Sequence, residues 1–211
     1  MPRKVDHNRR REEILEAALI AFTRKGYQAT RMREIAGQGG FSKATIYHYF
    51  KTRERLIHAL FDRLAQHYNV QLRLLNESTA RPREQIRQAM RSLLETGARL
   101  RPVLPVFFEM ICSDRESDSS GSIHWYHNWQ HRMEKALLVR IEIGQQNGEI
   151  DPHIQAATLA HILLANMNGL LFQYGLNHVP EDFFNAQLQT YLNMLDQTLQ
   201  AHSLDSNKQN D

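Results

Sequence analysis

Apolar residues recur with a helical period along most of the chain. From Ile14, the positions Ala17, Ala18, Ala21 and Phe22 follow at spacings of 3, 4, 7 and 8, one face of a helix over about residues 9–25, with Gly26 just past its end. Thr30 reads as the N-cap of a second helix carrying Met32, Ile35 and Ala36. Gly37, Gly39 and Gly40 would each cost a helix interior about 1 kcal/mol, so that helix is predicted to end near them. Ser42 caps a short third helix. Thr52 caps a fourth, with Glu54 in its first turn, which runs through Leu56, Ile57, Leu60, Phe61, Leu64 and Tyr68 to about residue 75. Pro82 fits the first turn of a fifth helix, and Pro102 and Pro105 bound a short sixth. The polar run 113–122 predicts a disordered loop. A long seventh helix ends at Gly148, Asp151–Pro152 opens an eighth as N-cap and N1, Pro180 opens a ninth, and residues 204–211 predict a disordered tail. There is no alternating strand pattern, internal repeat or sustained heptad. The predicted class is all-α, with about nine helices.

Composition changes this picture little; charge distribution changes it more. The 211 residues are 42% hydrophobic and 23% charged with a formal net charge of +3, an ordinary globular balance. Residues 1–67 hold 14 Lys/Arg against 7 Asp/Glu, a net +7, and the remainder is −4. A basic amino-terminal third on a mildly acidic remainder suggests two jobs on one chain. The single cysteine, Cys112, rules out an internal disulfide and suits a reducing cytoplasm; within "VFFEMIC" it reads as a small buried hydrophobe. The basic start has no apolar run behind it, so it is not a signal peptide, and no stretch approaches the ~18 apolar residues of a membrane span. These features predict a soluble cytoplasmic protein.

Residues 30–50, "TRMREIAGQGGFSKATIYHYF", have the shape of a helix-turn-helix: one helix, a glycine-rich turn, then a short capped helix. In that geometry the second helix enters the major groove of double-stranded DNA while the first crosses the backbone. Ile35, Ala36, Phe41 and Ile46 would lock the two helices together. Lys43, Ala44 and Thr45, following the Ser42 cap, would then face base edges, where lysine can donate to guanine and the methyl groups can meet thymine. Tyr47, His48, Lys51 and Arg53 supply donors suited to phosphate, and Thr52 sets the amino end of the fourth helix beside the same backbone. Tyr49 fits a core or a phosphate-facing position equally, and Phe50 packs inward.

The run G-Y-x-x-T at 26–30, I-A at 35–36, G-F-S-K-x-T-I-Y-H-Y-F at 40–50 and R-E-x-L at 53–56 resembles the TetR family of bacterial helix-turn-helix regulators. The match is dense over about residues 9–60; beyond residue 80 it rests on helix count and features such as "GQQNGEIDP". The resemblance implies DNA contacts at Arg33, Lys43, Ala44, Thr45, Tyr47, His48, Tyr49 and Arg53. It implies a helix-turn-helix domain over 1–56, with its motif at about 31–50, and a helical ligand-binding and dimerisation domain over 57–203. It also implies a regulator, a repressor at a palindromic operator, that a small-molecule effector releases from DNA. Gly37, Gly39 and Phe41 depart from the usual residues of the family.

The eighth helix is apolar nearly all round, and the ninth carries Phe184, Leu188, Tyr191, Leu192, Leu195 and Leu199 as a stripe. Two such helices can form a four-helix interface across a two-fold axis, so a homodimer through the two C-terminal helices is expected. The expected effector pocket is lined by Phe107, Phe108, Met110, Trp129, Met167 and Phe172. In "HWYHNWQH", His124, His127 and His131 share one side of the seventh helix, opposite Trp125, Trp129, Met133, Ala136 and Leu137; this predicts an exposed polar face rather than a metal site. No nucleophile–base pair, phosphate-binding glycine loop or metal constellation points to an enzyme, and no cofactor is expected. The competing reading is a helical ligand-binding or scaffolding protein with only non-specific DNA affinity.

Overall fold

The computed structural model describes residues 6–113, 121–177 and 179–200. Among the described residues nine α-helices carry the fold: α1 (His7–Lys25), α2 (Met32–Gly39), α3 (Lys43–Tyr49), α4 (Arg53–Glu77), α5 (Pro82–Arg99), α6 (Leu104–Ser113), α7 (Gly121–Gln146), α8 (Ala156–Leu176) and α9 (Glu181–Leu199), with a 3₁₀ turn at Arg101–Val103 leading into α6. There is no strand among the described residues. Of the loop expected at 113–122, residues 114–120 lie outside the described residues, as does the tail at 204–211.

Local chemistry sets most helix ends. The Asp6 carboxylate accepts from the backbone N–H groups of Asn8 and Arg9 at the start of α1. Ser42 Oγ accepts from Thr45 N–H at 3.0 Å, and Thr52 Oγ1 from Arg55 N–H at 3.3 Å. After α7, Gly148 adopts a left-handed φ of 73°, and the Glu149 N–H closes back on the Gly144 carbonyl at 2.8 Å.

Three local expectations are corrected, and the expected end of α2 near its glycines is placed at Gly39. Thr30 does not cap α2: its side chain is buried and donates to the carbonyls of Gly26 (2.8 Å) and Ala21 (3.3 Å), and Arg31 holds the N-cap position. Gly37 and Gly39 lie inside α2, and the left-handed stop is Gly40 at φ 65°. A Cβ at position 39 would collide with the Phe41 ring, so the glycine makes room for an aromatic packed against it. Asp151 and Pro152 do not open α8, which starts at Ala156; Asp151 Oδ1 instead accepts from His153 N–H at 2.8 Å, and Gln145 Nε2 donates to the Asp151 and Ile154 carbonyls. Cys112 is exposed, because it sits in the last turn of α6, where the helix leaves the core.

The buried apolar residues form two clusters. The smaller gathers α1–α3 and the start of α4 around Ile14, Leu15, Phe22, Ile35 and Ile46, and includes Val106 and Met110 from α6. The larger gathers α4 through α9 around Leu75, Met90, Leu93, Leu137, Leu164 and Leu192. Helix α4, 25 residues and roughly 37 Å long, belongs to both: Leu56 to Phe61 pack with the smaller cluster, and Tyr68 to Leu75 with the larger. The division expected at 56/57 therefore falls inside a continuous helix. Gln71, on α4 and nearly inaccessible, donates from Nε2 to Ser92 Oγ at 2.9 Å and Thr96 Oγ1 at 3.2 Å, tying α4 to α5 inside the larger cluster.

Candidate DNA-binding interface

Helix α3 separates its residues cleanly by burial. Ile46 is fully buried among α1, α2 and α4, while Ser42, Lys43, Ala44, Tyr47 and His48 are exposed. Lys43 Nζ stands 5.8 Å from the centre of the Tyr47 ring. Thr45 is half-buried, and its hydroxyl pairs with that of Ser42 at 2.8 Å, so the cap holds both side chains in place. Such a helix, short and edge-on to solvent at its first turn, can put donors and methyl groups against base edges.

Cations surround it on one side. Arg31 and Arg33 of the α2 start, Lys43 and Tyr47 of α3, and Arg53 of the α4 start line one open concavity, with Gln28, Thr30 and Met32 at its back. Arg33 is exposed, and its Nε reaches Glu34 Oε1 at 3.0 Å. That hydrogen bond, helped by the Arg31 backbone N–H at 2.9 Å from Glu34 Oε2, holds the Glu34 carboxyl below its usual range. Glu34 thus anchors the amino end of α2 and orients Arg33, in addition to favouring the helix dipole. Lys51 is exposed.

Three sequence-predicted positions carry a structural duty. Arg53 is half-buried: Nη2 donates to the Tyr27 carbonyl at 2.6 Å, and the guanidinium lies 4.1 Å from the Tyr27 ring centre and 5.8 Å from that of Phe22. It forms the wall of the concavity as much as a contact within it. Tyr49 is half-buried against the smaller core, 5.3 Å ring to ring from His48 and 5.5 Å from His7. Thr45 is held by Ser42, as above. The rings and charges of this segment are divided between the two sides of the polypeptide, with Arg10 over the Phe41 ring and Arg11 over the Phe50 ring, each at 5.4 Å.

Sequence reasoning missed Arg31, His7 and Glu109. Arg31 was hidden by the assignment of the cap to Thr30; a cation directly before the first apolar residue of α2 was the available signal. Glu109, on α6, accepts from the backbone N–H groups of Tyr27 (2.8 Å) and Gln28 (3.1 Å), 82 and 81 residues away in sequence, and nothing local announces it.

The expected effector pocket is only partly assembled. A cavity of about 100 Å³ opens where α1, α4 and α6 meet, and Phe107 and Met110 line it together with Leu19, Leu60, Phe61, Arg63, Leu64 and Tyr68. Phe108 instead packs edge-on against Phe172, which is itself exposed, at 5.1 Å. Trp129 and Met167 are buried in the larger core. His124, His127 and His131 are exposed on α7, opposite the buried Trp129, Met133 and Leu137.

An exposed-face helix held in a glycine-ended helix-turn-helix, with a cationic concavity beside it, defines a helix-turn-helix DNA-binding transcriptional regulator. The sequence model of bacterial regulatory proteins of the tetR family matches residues 14–60, which span α1 to the first half of α4. The chain is 28% identical over 180 residues to YhgD of Bacillus subtilis, an uncharacterized HTH-type transcriptional regulator, covering 82% of this chain and 88% of that one. Its fold is similar to that of KstR2, a ketosteroid transcriptional regulator of Mycobacterium tuberculosis, with a TM-score of 0.74 at 18% identity over 92% of this chain and 96% of that one. It is also similar to FadR of Bacillus subtilis, solved in complex with stearoyl-CoA, with a TM-score of 0.72 at 20% identity over 89% and 98% of the two chains. Over residues 14–60 this chain is thus similar to the bacterial regulatory proteins of the tetR family, and its whole fold is similar to theirs. Its curated relatives are named as transcriptional regulators, not enzymes. Among the described residues, no helix is long and apolar enough to cross a membrane.

Proposed function

We propose that the protein is a cytoplasmic repressor that binds a palindromic operator as a homodimer and leaves it when a small molecule binds the helical domain. The carrying observation is the split of α3, with Ile46 fully buried and Lys43, Ala44, Tyr47 and His48 exposed beside the concavity of Arg31, Arg33 and Arg53. Lys43, Ala44 and Thr45 read bases; Ser42, Tyr47, His48, Tyr49, Lys51, Arg33 and Arg53 hold or frame the phosphate backbone. The amino-terminal helices are the DNA-binding unit, and the remainder serves effector binding and dimerisation.

Dimerisation through α8 and α9 is supported by their outer faces. Ile162, Phe172 and Leu176 of α8 and Phe183 and Met194 of α9 are exposed large apolar residues, Met194 at 60%. The opposite faces of the same helices are buried in the larger core, so both sides of α8 are apolar. A two-fold pairing would cover these residues and set two copies of α3 on successive turns of the groove. Effector release is supported by FadR, a protein of the same fold that is solved with stearoyl-CoA.

Selection of duplexes from a randomised pool at two salt concentrations tests the reading. The expected result is an enriched palindrome with half-sites about one helical turn or more apart, and affinity that falls with salt. Lys43→Ala should change the preferred bases, while Tyr47→Phe should weaken all sequences alike, by about 1 kcal/mol for one lost hydrogen bond. An unchanged preference in Lys43→Ala sinks the placement of the base-reading face. Absence of any enrichment would favour the alternative of a helical ligand-binding protein with non-specific DNA affinity.

A further inference from the structure

Helix α3 has two flanks, and both carry cations. Lys43 and Tyr47 face the concavity of Arg31, Arg33 and Arg53. Tyr49, two residues on from Tyr47 and so nearly opposite it around the helix, faces a second concavity, lined also by Arg11 of α1, by Phe50, and by Arg55, His58 and Asp62 of α4. A helix seated in the major groove has a phosphate strand on either side of it. The first concavity can meet one strand, and the second stands where the other would pass. Two more imidazoles stand at its edge: His7, at the start of α1, lies 5.5 Å ring to ring from Tyr49 and 6.0 Å from His48. His7, His48, Arg55 and His58 are exposed.

The fixed charges on this flank nearly cancel. On α1, Arg11 stands 3.7 Å from Glu12, Arg9 and Arg10 are both paired with Glu13, and the Asp6 carboxylate is taken up by the Asn8 and Arg9 amides. On α4, Asp62 lies one turn beyond His58, and Glu54 one turn before it. The Glu54 carboxyl is held below its usual range by its own backbone N–H and the Thr52 hydroxyl, with a smaller pull from Arg53 and His58. Arg11, Lys51 and Arg55 are thus set against Glu12, Glu54 and Asp62. The first concavity differs, with four cations and no histidine in its lining. On the second flank the imidazoles decide the sign, and an imidazole changes its charge between about pH 5 and 8. We propose that this flank seats the second phosphate strand of the duplex, and that His7, His48 and His58 make DNA binding take up protons. The inference rests on the DNA-binding reading of α3. A phosphate beside an imidazole favours its charged form, so the bound state holds more protons than the free one, and affinity falls as pH rises through neutrality.

The affinity of the full chain is measured from pH 6 to pH 8 at constant ionic strength, on the selected operator and on an unrelated duplex. The expected loss is about tenfold on both, because phosphates are common to all sequences. His7→Gln and His58→Gln should each remove part of that dependence. The triple variant His124→Gln, His127→Gln and His131→Gln, on the exposed side of α7, should remove none. On the operator, phosphate ethylation should interfere on both strands of each half-site. Arg55→Gln should erase the interference on one strand and Arg33→Gln that on the other, each lowering the slope of log affinity against log salt by about one. Circular dichroism establishes that each variant is folded. A flat pH profile, a dependence untouched by His7→Gln and His58→Gln together, or Arg33→Gln and Arg55→Gln acting on the same strand overturns the second seat. An unrelated duplex bound with this pH dependence, and no preferred sequence, upholds the seat and sinks only the operator. No binding to any duplex overturns both.

Discussion

The two cores of this molecule are built on different terms. The larger one is self-contained: Met90, Leu93, Leu94, Leu137, Leu164 and Leu192 are essentially inaccessible and come from four different helices. The smaller one closes over α1–α3 with alanines at 17, 18, 21 and 36, which let the helices approach closely but bring little apolar surface. It completes itself with Val106 and Met110 of α6, and the α1–α2 loop has its amides satisfied by Glu109 of the same helix. The core around α1–α3 is therefore completed and held by α6. Two kinds of contact, packing and hydrogen bonds, thus join α6 to the part that carries α2 and α3.

The sharpest break of this asymmetry is Ile46→Ala. Ile46 is fully buried in the smaller core, and truncation of such a side chain costs about 2–5 kcal/mol. DNA binding should be lost while α5–α9 keep their hydrogen-exchange protection, because those helices do not depend on α3. Leu93→Ala, at an equally buried position of the larger core, should lower protection in both units. Equal loss throughout the chain in Ile46→Ala would mean that the two cores unfold as one.

A gentler probe is Glu109→Ala. Two backbone donors lose a charged acceptor, an effect of about 1.5–3 kcal/mol for each fully made bond. Exchange of the Tyr27 and Gln28 amides should accelerate about tenfold or more, with operator affinity reduced and the larger core unmoved. Glu109→Gln leaves one acceptor oxygen and should restore only part of the protection. Unchanged exchange at both amides in Glu109→Ala would remove α6 from the support of the reading head.

What the sequence made legible follows the range of each interaction. The caps at Ser42 and Thr52 and the left-handed stop near Gly40 act within three or four residues, and the periodic faces of α1 and α4 within a few turns, so the helix-turn-helix could be read directly. Thr30 misled because a hydroxyl before a helix looks like a cap, whereas this one turns back to the carbonyls of Ala21 within α1 and Gly26 just after it. Glu109 and the Arg53–Tyr27 pair were illegible because their partners lie 82 and 26 residues away. Of the expected pocket residues, Phe107 and Met110 line the cavity while Trp129 and Met167 lie in the larger core, for a related reason. A dense run of large apolar residues in a sequence marks where packing is good, as at Trp129 and Met167, while a cavity opens where two separately packed clusters meet imperfectly.

The smallest expected effect separates two cations at the rim of the interface. Lys51 is exposed, so Lys51→Ala should lower the slope of log affinity against log salt by about one and leave thermal stability unchanged. Arg53 is half-buried, bonded to the Tyr27 carbonyl and laid on the Tyr27 ring, so Arg53→Ala should lower stability by about 1 kcal/mol before it lowers DNA affinity. Arg53→Lys should not rescue it, since an ammonium cannot both lie flat on the ring and reach the carbonyl. If Arg53→Lys instead restored stability and affinity together, while Arg53→Ala changed only the salt slope, Arg53 would be a phosphate contact like Lys51. The α1–α2 loop would then hang from α6 through Glu109 without support from α4.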